Sequence, residues 1–431
     1  MKIAVFGLGY VGSVTSVCLA LNGHEVWGVD VDAIKVEWIS KGIPPIKEPA
    51  FAERLRTVLD AGRLKVTMDA RLAIRQTEAA LICVGTPTSN TGETYLGAVE
   101  HAIKGLNEAL LAEPHPYLIA VRSTIPPGTM QQIILPLLQA GAGRSMGDDL
   151  GVCFNPEFLR EGTAIDDFFA PPFTVVGIEG ELAVADAIVS QVEKIYALPN
   201  VPTVRLNFKE AELVKVISNA FHAMKIDFAN EVGSLAVRLG ANPERLMDAF
   251  CLDTKLNISP KYLRPGFAFG GSCLPKDVRG LIHVAHQFGL SLPLIEAILP
   301  SNQEHLKRAL SAVQSHPGRV IGLAGLVFKA DTDDVRESPA VLLARALLDA
   351  GKDVLIFEPE IQLDRLVGAN LAHLEERLPG FRKHFVDWPA LAAQADVVVV
   401  SRSMAVSQPS MEQLRQPKII LHRLNPQSDP A

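Results

Sequence analysis

One cysteine lies in the part of the chain that is richest in residues able to do chemistry. Cys273 follows Gly270-Gly271-Ser272 and precedes Leu274-Pro275-Lys276-Asp277. Glycines allow close backbone approach to a ligand, and a neighbouring cation lowers the pKa of a thiol. A thiolate at this position could attack an aldehyde and hold the substrate first as a thiohemiacetal and then as a thioester. The alternative is a buried structural cysteine on a tight turn.

The beginning of the chain carries a dinucleotide-binding fingerprint. Gly7, Gly9 and Gly12 form the pattern GxGxxG after an apolar strand, and Asp30 ends the next strand. These glycines allow the turn, the approach of a pyrophosphate and the packing of helix on strand, while an acid at the second strand end bonds the ribose 2′-hydroxyl. The same acid repels a 2′-phosphate, so the sequence predicts NAD rather than NADP. The alternative is a glycine turn without a cofactor. With Cys273, the fingerprint predicts a dehydrogenase.

The pattern of strands and helices indicates an α/β protein. Residues 2–6, 25–30, 79–84 and 117–121 are strand-like and alternate with helical segments, and 150–154 and 174–177 could add further strands, which predicts a parallel, doubly wound sheet. Residues 209–239 then form one helix, roughly 45 Å long at 1.5 Å per residue, and helical segments continue to about residue 316. New strands follow at 319–323, 354–357 and 397–400.

These elements predict three domains. Residues 1–205 form an N-terminal Rossmann domain that binds NAD. Residues 206–316 form an all-helical central domain with a long connecting helix, and this domain carries Cys273 and a dimer interface. Residues 317–431 form a Rossmann-like domain that binds the second ligand.

The composition excludes several classes of protein. The chain has 431 residues, of which 48 % are hydrophobic and 21 % charged, with a net charge of −7, which argues against a nucleic-acid-binding surface. The chain contains no run of 18 apolar residues, so no segment is predicted to span a membrane. The five cysteines include no CxxC pair, which indicates reduced thiols, a cytoplasmic location and no metal site. Cys18 and Cys83 lie in apolar patterns and are predicted core residues.

Seven blocks in the same order give the chain a resemblance to a known family. The sequence resembles the UDP-glucose/GDP-mannose 6-dehydrogenase family over nearly its whole length. The blocks are Phe6–Gly12, Cys83–Pro87, Arg122–Thr124, Asn155–Glu161, the helix with Glu212, Lys215 and Asn219, the loop of Cys273, and Phe328–Ala330 with Arg336–Pro339.

The resemblance implies a four-electron oxidation of a nucleotide sugar, from the C6 hydroxymethyl group to a carboxylate, with two NAD used in turn. Residues 255–269 look most like the GDP-mannose branch, which predicts GDP-mannose as substrate and GDP-mannuronate as product. UDP-glucose oxidised to UDP-glucuronate is the alternative. Two other classes stay open, namely a two-electron dehydrogenase of the 3-hydroxyacid type and an inactive NAD-binding regulator.

The resemblance also implies roles for individual residues. Lys215 and Asn219 share one helix face and would donate to the developing oxyanion. Asp277 would order a water or accept its proton, although it could equally be a charge at a helix start. The predicted catalytic residues are Cys273, Lys215, Asn219, Asp277, Glu157 and Thr124. The predicted cofactor contacts are Gly7, Gly9, Tyr10, Val11, Gly12, Asp30, Lys35, Thr86, Thr124, Glu161 and Arg336. The predicted substrate contacts are Glu157, Phe158, Leu159, Lys215, Asn219, Tyr262, Arg264, Phe269, Gly270 and Lys329.

The long helix also predicts a homodimer. Its apolar residues are more numerous than one domain can cover. They include Val214, Ile217, Ala220, Phe221, Met224 and Phe228. His222 lies three residues after Asn219 and is interpreted as a core histidine.

Overall fold

A computed structural model of the chain describes most of its length and divides it into two compact units. The described residues are 1–87, 93–113, 115–141, 143, 146–147, 149–260, 262–263, 266–271, 274–327, 334–364, 366, 368–401 and 414–421. The units are Met1–Ala223 and Met224–Ala431. No helix in the described part of the chain is long and apolar enough to cross a membrane.

An eight-stranded sheet forms the centre of the first unit. Its strands are β1 (Lys2–Phe6), β2 (Glu25–Val29), β3 (Leu64–Thr67), β4 (Ala79–Ile82), β5 (Tyr117–Val121), β6 (Leu150–Phe154), β7 (Thr174–Gly177) and β8 (Thr203–Leu206). The order is β3-β2-β1-β4-β5-β6-β7-β8, and the first six strands in this order are parallel, as in a doubly wound dinucleotide-binding sheet. Strands β1, β4 and β5 are almost wholly buried because helices cover both faces.

The prediction of an all-parallel sheet is wrong at one edge. Strand β7 runs antiparallel to β6, and β8 is parallel to β7. A parallel return normally needs a crossover helix that packs across the sheet. The connection from β6 to β7 contains only the six-residue helix Ala164–Phe169. The chain therefore turns back beside β6 and runs in the opposite direction.

The helices of the first unit lie between the strands in sequence. They are α1 (Tyr10–Leu21), α2 (Ala33–Ser40), α3 (Phe51–Asp60), α4 (Ala70–Arg75), α5 (Gly97–Leu110), α6 (Leu135–Gly141), α7 (Ala164–Phe169), α8 (Leu182–Tyr196) and the start of α9 (Phe208–Arg238). A π-helical turn, Met130–Ile134, precedes α6. Phe6 pairs with both Val29 and Ile82, so β1, β2 and β4 end level and the residues that follow them share one edge.

The long helix α9 has the length that the sequence predicts, 31 residues, and crosses the boundary between the two units. Near its start, the fully buried Glu212 accepts a hydrogen bond from the N–H of Met130 at 2.7 Å. Burial raises the pKa of this carboxyl above its ordinary range, although the backbone N–H donors oppose the shift. Glu212 thereby attaches α9 to the segment after β5. Residues 219–227 of the helix are exposed.

The second unit begins with helices and ends with a parallel sheet. Its elements after α9 are α10 (Pro243–Cys251), α11 (Leu274–Gln287), α12 (Pro293–Gln314), β9 (Val320–Ala324), α13 (Pro339–Asp349), β10 (Asp353–Phe357), α14 (Gly368–Arg377), α15 (Trp388–Gln394), β11 (Val397–Val400) and β12 (Lys418–Ile420). The sheet order is β10-β9-β11-β12, with every pair parallel. The predicted Rossmann-like architecture of this part is confirmed, whereas the boundaries at 205 and 316 stay predictions.

Candidate active site

The glycine turn after β1 has the shape that a dinucleotide requires. Gly7 has φ +89°, and a Cβ there would lie 2.8 Å from the Cα of Val84. A Cβ on Gly12 would lie 1.7 Å from the carbonyl oxygen of Gly7, so packing alone requires both glycines. A Cβ on Gly9 would meet no atom within 4 Å. Gly9 therefore faces open space at the start of α1, where no side chain caps the helix and an anion can bind.

Asp30 is the buried acid beside this turn. Its carboxylate accepts hydrogen bonds from the N–H of Leu8 at 2.6 Å and from Lys35 Nζ at 2.9 Å. Burial alone would raise the pKa of Asp30. The bonds from the Asp32 N–H, Lys35 and the Leu8 N–H outweigh burial and hold the pKa below its ordinary value. The carboxylate is therefore ionised at neutral pH and available to a ribose hydroxyl.

A cavity of about 770 Å³ adjoins the turn and the acid. Gly7, Gly9, Asp30 and Lys35 line it, together with apolar residues that include Val31 and Met68. The open space at Gly9, the uncapped start of α1 and the ionised carboxylate fit the phosphates and a ribose of NAD. Tyr10 and Val11 are the first two residues of α1 and so lie beside the same opening.

We expect the native protein to use NAD with a kcat/KM at least about 100-fold above that for NADP, because the buried Asp30 carboxylate repels a 2′-phosphate. Asp30→Asn should reduce this ratio by about tenfold or more, since the loss of charge also frees Lys35 to bind the 2′-phosphate. The low pKa predicts that Asp30 stays ionised between about pH 5 and 8, so the preference should increase over this range only as the 2′-phosphate loses its second proton, near pH 6. Glu37→Gln, an exposed change on α2, is the control. Equal kcat/KM values for the two cofactors in the native protein would contradict the role of Asp30.

A second cavity, of about 440 Å³, lies beyond the carboxyl ends of β5 and β6. Glu157, Phe158 and Leu159 line it, with Ser218 and His222 of α9. His222 is exposed, so its interpretation as a core histidine is wrong. The cavity offers both apolar and polar groups to a ligand.

A buried ion pair stands beside this cavity. Lys215 Nζ lies 3.0 Å from Glu157 Oε1, and both side chains are at least 90 % buried. The ammonium also lies 5.5 Å from the centre of the Phe158 ring, and the N–H of Leu159 donates to Glu157 Oε2 at 2.6 Å. The structure therefore brings together four predicted site residues from α9 and from the segment that follows β6. Asn219 is exposed one turn further along α9.

The two predicted threonines meet at the same sheet edge. Thr86 follows β4 and Thr124 follows β5, and Thr86 Oγ1 donates to the carbonyl oxygen of Thr124 at 2.6 Å. Glu161 is exposed after β6, and burial, Glu48 and Glu161 together raise the pKa of the Tyr10 phenol, at the start of α1, to about 12. Both observations agree with cofactor contacts from these residues, whose roles stay predictions.

In the second unit, the segment that leads toward the candidate thiol is firmly held. The N–H of Phe269 donates to Asn302 Oδ1 at 2.9 Å, and Asn302 Nδ2 donates to the carbonyl oxygen of Phe269 at 2.8 Å. The carbonyl oxygen of Gly266 lies 2.6 Å from His305 Nε2. A Cβ on Gly270 would lie 2.2 Å from the carbonyl oxygen of Glu337, which explains the glycine.

Other predicted residues of the second unit are exposed or paired locally. Asp277 lies in the first turn of α11, exposed and 3.4 Å from Lys276 Nζ. Tyr262 has φ +62° and is 85 % exposed. Arg336 forms an ion pair with Asp334 at 2.8 Å. Cys273, Arg264 and Lys329 lie outside the described residues.

The structure narrows the choice of thiol. Burial raises the pKa of Cys18, Cys83 and Cys153 to about 12, so these three are inert core residues. This confirms the prediction that Cys18 and Cys83 belong to the core. Cys251 is exposed on α10, and it lacks the glycines and the Lys-Asp pair that flank Cys273 in the sequence.

Comparison with known proteins identifies the family. Residues 1–199 match the "UDP-glucose/GDP-mannose dehydrogenase family, NAD binding domain", residues 209–304 its central domain, and residues 322–419 its "UDP binding domain". The chain belongs to the UDP-glucose/GDP-mannose dehydrogenase family. It is therefore an NAD-dependent nucleotide-sugar dehydrogenase with three domains, as the sequence predicts. The alternative of a two-electron enzyme of the 3-hydroxyacid type is set aside.

Individual members of the family are similar over most of the chain. A GDP-mannose 6-dehydrogenase of Pseudomonas aeruginosa is 41 % identical over 401 residues, which cover 93 % of this chain and 91 % of that protein. A UDP-glucose 6-dehydrogenase of Bacillus subtilis is 37 % identical over 364 residues, covering 83 % and 76 %. The crystal structure of a ternary complex of GDP-mannose dehydrogenase from Pseudomonas aeruginosa has a TM-score of 0.93 at 38 % identity, covering 98 % of this chain and 96 % of that one.

Sequence reasoning missed three residues that hold segments with predicted site residues. Asn302 and His305 of α12 hold the segment before Cys273, and Glu48 holds the segment after Glu157. Glu212 belonged to a recognised block but was given no role. Asn302 lies inside α12 and Glu48 lies in a connection without periodicity, so the spacing of neither residue indicates its contact.

Proposed function

We propose that this protein oxidises GDP-mannose to GDP-mannuronate in two successive steps, with the substrate held on Cys273 between them. The observation that carries the chemistry is the buried Lys215–Glu157 pair beside the cavity of the first unit. The choice of sugar is supported by the similarity to a GDP-mannose 6-dehydrogenase over 93 % of the chain. UDP-glucose is the second candidate, because a UDP-glucose 6-dehydrogenase is 37 % identical.

The protein groups have distinct tasks in this reaction. In the first oxidation, the C6 alcohol becomes an aldehyde, and Glu157 is the candidate acceptor of the hydroxyl proton. The Cys273 thiolate then forms a bond to the aldehyde carbon, and the carbonyl electron pair moves to oxygen. Lys215 and Asn219 donate hydrogen bonds to that oxyanion.

The second oxidation converts the thiohemiacetal into a thioester. Water then attacks the thioester carbonyl, the carbon–sulfur bond breaks, and the thiolate leaves while a carboxylate is released. Asp277 would accept the proton of this water. When bound, NAD supplies the acceptor of a hydride in each oxidation, so one sugar requires two NAD and one water. Covalent capture prevents the loss of the aldehyde between the two oxidations.

The nucleotide is assigned to the second unit. Tyr262 offers an exposed ring for stacking on a base, and a guanine has more stacking area than a uracil. Arg264 and Lys329 would contact the diphosphate, Phe269 and Gly270 the sugar, and Arg336 a phosphate of the cofactor. Residues 322–419 match a UDP binding domain, so UDP sugars have to be tested as substrates beside GDP-mannose.

We expect NADH formation to be fastest with GDP-mannose when equal concentrations of GDP-mannose, UDP-glucose and UDP-N-acetyl sugars are supplied with saturating NAD. A difference of about tenfold in kcat/KM corresponds to 1.4 kcal/mol of differential transition-state binding, which one set of base contacts can provide. Two NADH should form for each sugar consumed. A kcat/KM for UDP-glucose at or above that for GDP-mannose would refute GDP-mannose as the preferred substrate but would not contradict the mechanism. One NADH per sugar would refute the mechanism.

A homodimer through α9 is part of the proposal. Four of the large apolar residues in the middle of this helix are between 37 % and 50 % exposed, although apolar side chains of this size are usually covered. They are Val216, Ile217, Phe221 and Met224. A second copy of the same helix would bury them. The cytoplasmic location that the cysteine content predicts also stays a prediction.

A further inference from the structure

Glu48 forms a long-range contact that the reaction as proposed does not use. This buried carboxylate lies in the connection between α2 and α3. Its Oε2 accepts the N–H of Gly162 at 2.7 Å, and its Oε1 accepts the N–H of Ala164 at 2.8 Å. The Tyr10 hydroxyl also donates to Oε2. One carboxylate thus joins three parts of the first unit.

The contact with Ala164 replaces a missing helix cap. The first N–H groups of a helix lack partners within the helix, and a neighbouring side chain usually accepts from them. Thr163 precedes α7 but caps none of these groups with its side chain. Glu48 supplies the acceptor for the N–H of Ala164 instead, from 116 positions away in sequence. A negative charge at this end of a helix is also favourable.

The segment that Glu48 holds contains predicted contacts with both ligands. It starts at Glu157, which pairs with Lys215, and reaches Glu161 immediately before Gly162. Gly162 has φ +89°, so the chain turns sharply at the point where Glu48 binds it. Glu48 therefore holds the end of this segment, together with the Arg160–Asp167 pair.

Tyr10 connects the same carboxylate to the cofactor cavity. Its backbone begins α1 directly after Gly9, and its hydroxyl also accepts the N–H of Gly162 at 3.2 Å. A cofactor that binds against Gly9 and the first turn of α1 would restrict Tyr10, and Tyr10 would in turn restrict Glu48 and Gly162. The connection contains only packed side chains and hydrogen bonds within one unit.

We propose that Glu48 is a positioning residue that couples occupancy of the NAD cavity to the arrangement of segment 157–162, so that the cofactor strengthens binding of the sugar nucleotide. This inference rests on the proposed function. It predicts a thermodynamic coupling between two ligands that bind different elements. Coupling of this kind typically changes affinity by about 5- to 150-fold.

The test measures the Kd of GDP-mannose by calorimetry, with and without saturating NADH, in the full chain. We expect NADH to tighten binding by at least about fivefold in the native protein. Glu48→Gln keeps the shape of the side chain but leaves an amide group against the N–H donors. In this variant the ratio of the Kd without NADH to the Kd with NADH should fall to within about twofold of one. Tyr10→Phe removes only the hydroxyl and should give an intermediate ratio. Glu53→Gln, an exposed change on α3, should retain the native ratio.

The outcomes separate coupling from simple stabilisation. A native ratio near one, or an unchanged ratio in a folded Glu48→Gln protein, would overturn the proposal. A native protein that oxidises none of the nucleotide sugars would instead refute the proposed function. Hydrogen exchange of the amides of Gly162, Ala164 and Ile165 gives a readout without turnover. NADH should slow their exchange in the native protein and have little effect in Glu48→Gln, whereas equal slowing in both would also contradict the proposal.

Discussion

Replacement of Cys273 by alanine is expected to lower kcat by about 10⁴-fold or more, the scale seen when a covalent nucleophile is removed. Binding of GDP-mannose should stay within about threefold of the native value, because the thiol contributes to covalent chemistry more than to ground-state recognition. NADH formation measures the first quantity and calorimetry the second. Cys273→Ser should instead accumulate an ester that intact-protein mass spectrometry detects, since an alkoxide leaves less readily than a thiolate.

Cys251→Ala is the matched control for Cys273→Ala. Cys251 is the exposed cysteine of the described residues, whereas Cys18, Cys83 and Cys153 are buried with pKa values of about 12. We expect Cys251→Ala to retain native kcat. If Cys273→Ala releases NADH at the native rate, Cys273 is a structural residue and not the nucleophile. If Cys251→Ala is the inactive variant, the assignment of the nucleophile is wrong.

The features that the sequence predicted correctly depend on neighbours in sequence. The glycine turn, Asp30 and the length of α9 follow from residue types at fixed spacing, and each matches the structure within about one residue. The direction of β7 could not be predicted in this way. It depends on how a 19-residue connection packs against β6, and the residues of β7 are compatible with either direction.

The supports of the site were missed for the same reason. Glu48 contacts residues more than 100 positions away, and Asn302 contacts Phe269 across 33 positions. Nothing in the spacing of either residue marks these contacts. The family resemblance predicted Lys215 and Glu157 as two individual site residues and did not predict that they form a pair. Their direct pairing became visible only when α9 was seen beside the end of β6.

Replacement of Lys215 by methionine is expected to lower kcat by about 10²- to 10³-fold, the effect of removing one donor to an oxyanion. It should also destabilise the protein by about 3–5 kcal/mol, because Glu157 would be left as an unpaired buried charge. Enzyme kinetics and denaturant unfolding measure the two effects. Because the same residue produces both, a loss of activity alone would not separate catalysis from folding.

The double variant Lys215→Met with Glu157→Gln makes that separation. Removal of the second charge should restore most of the lost stability, since a neutral pair no longer buries an uncompensated carboxylate. Activity should not recover, because the oxyanion still lacks its cation and the C6 hydroxyl has also lost its candidate proton acceptor. Arg205→Met breaks the more exposed Arg205–Asp186 pair, 2.9 Å apart in the same unit, and should cost less than about 1 kcal/mol with native kcat. Recovery of kcat in the stable double variant would contradict both proposed roles, because that protein has neither the Lys215 cation nor the Glu157 base.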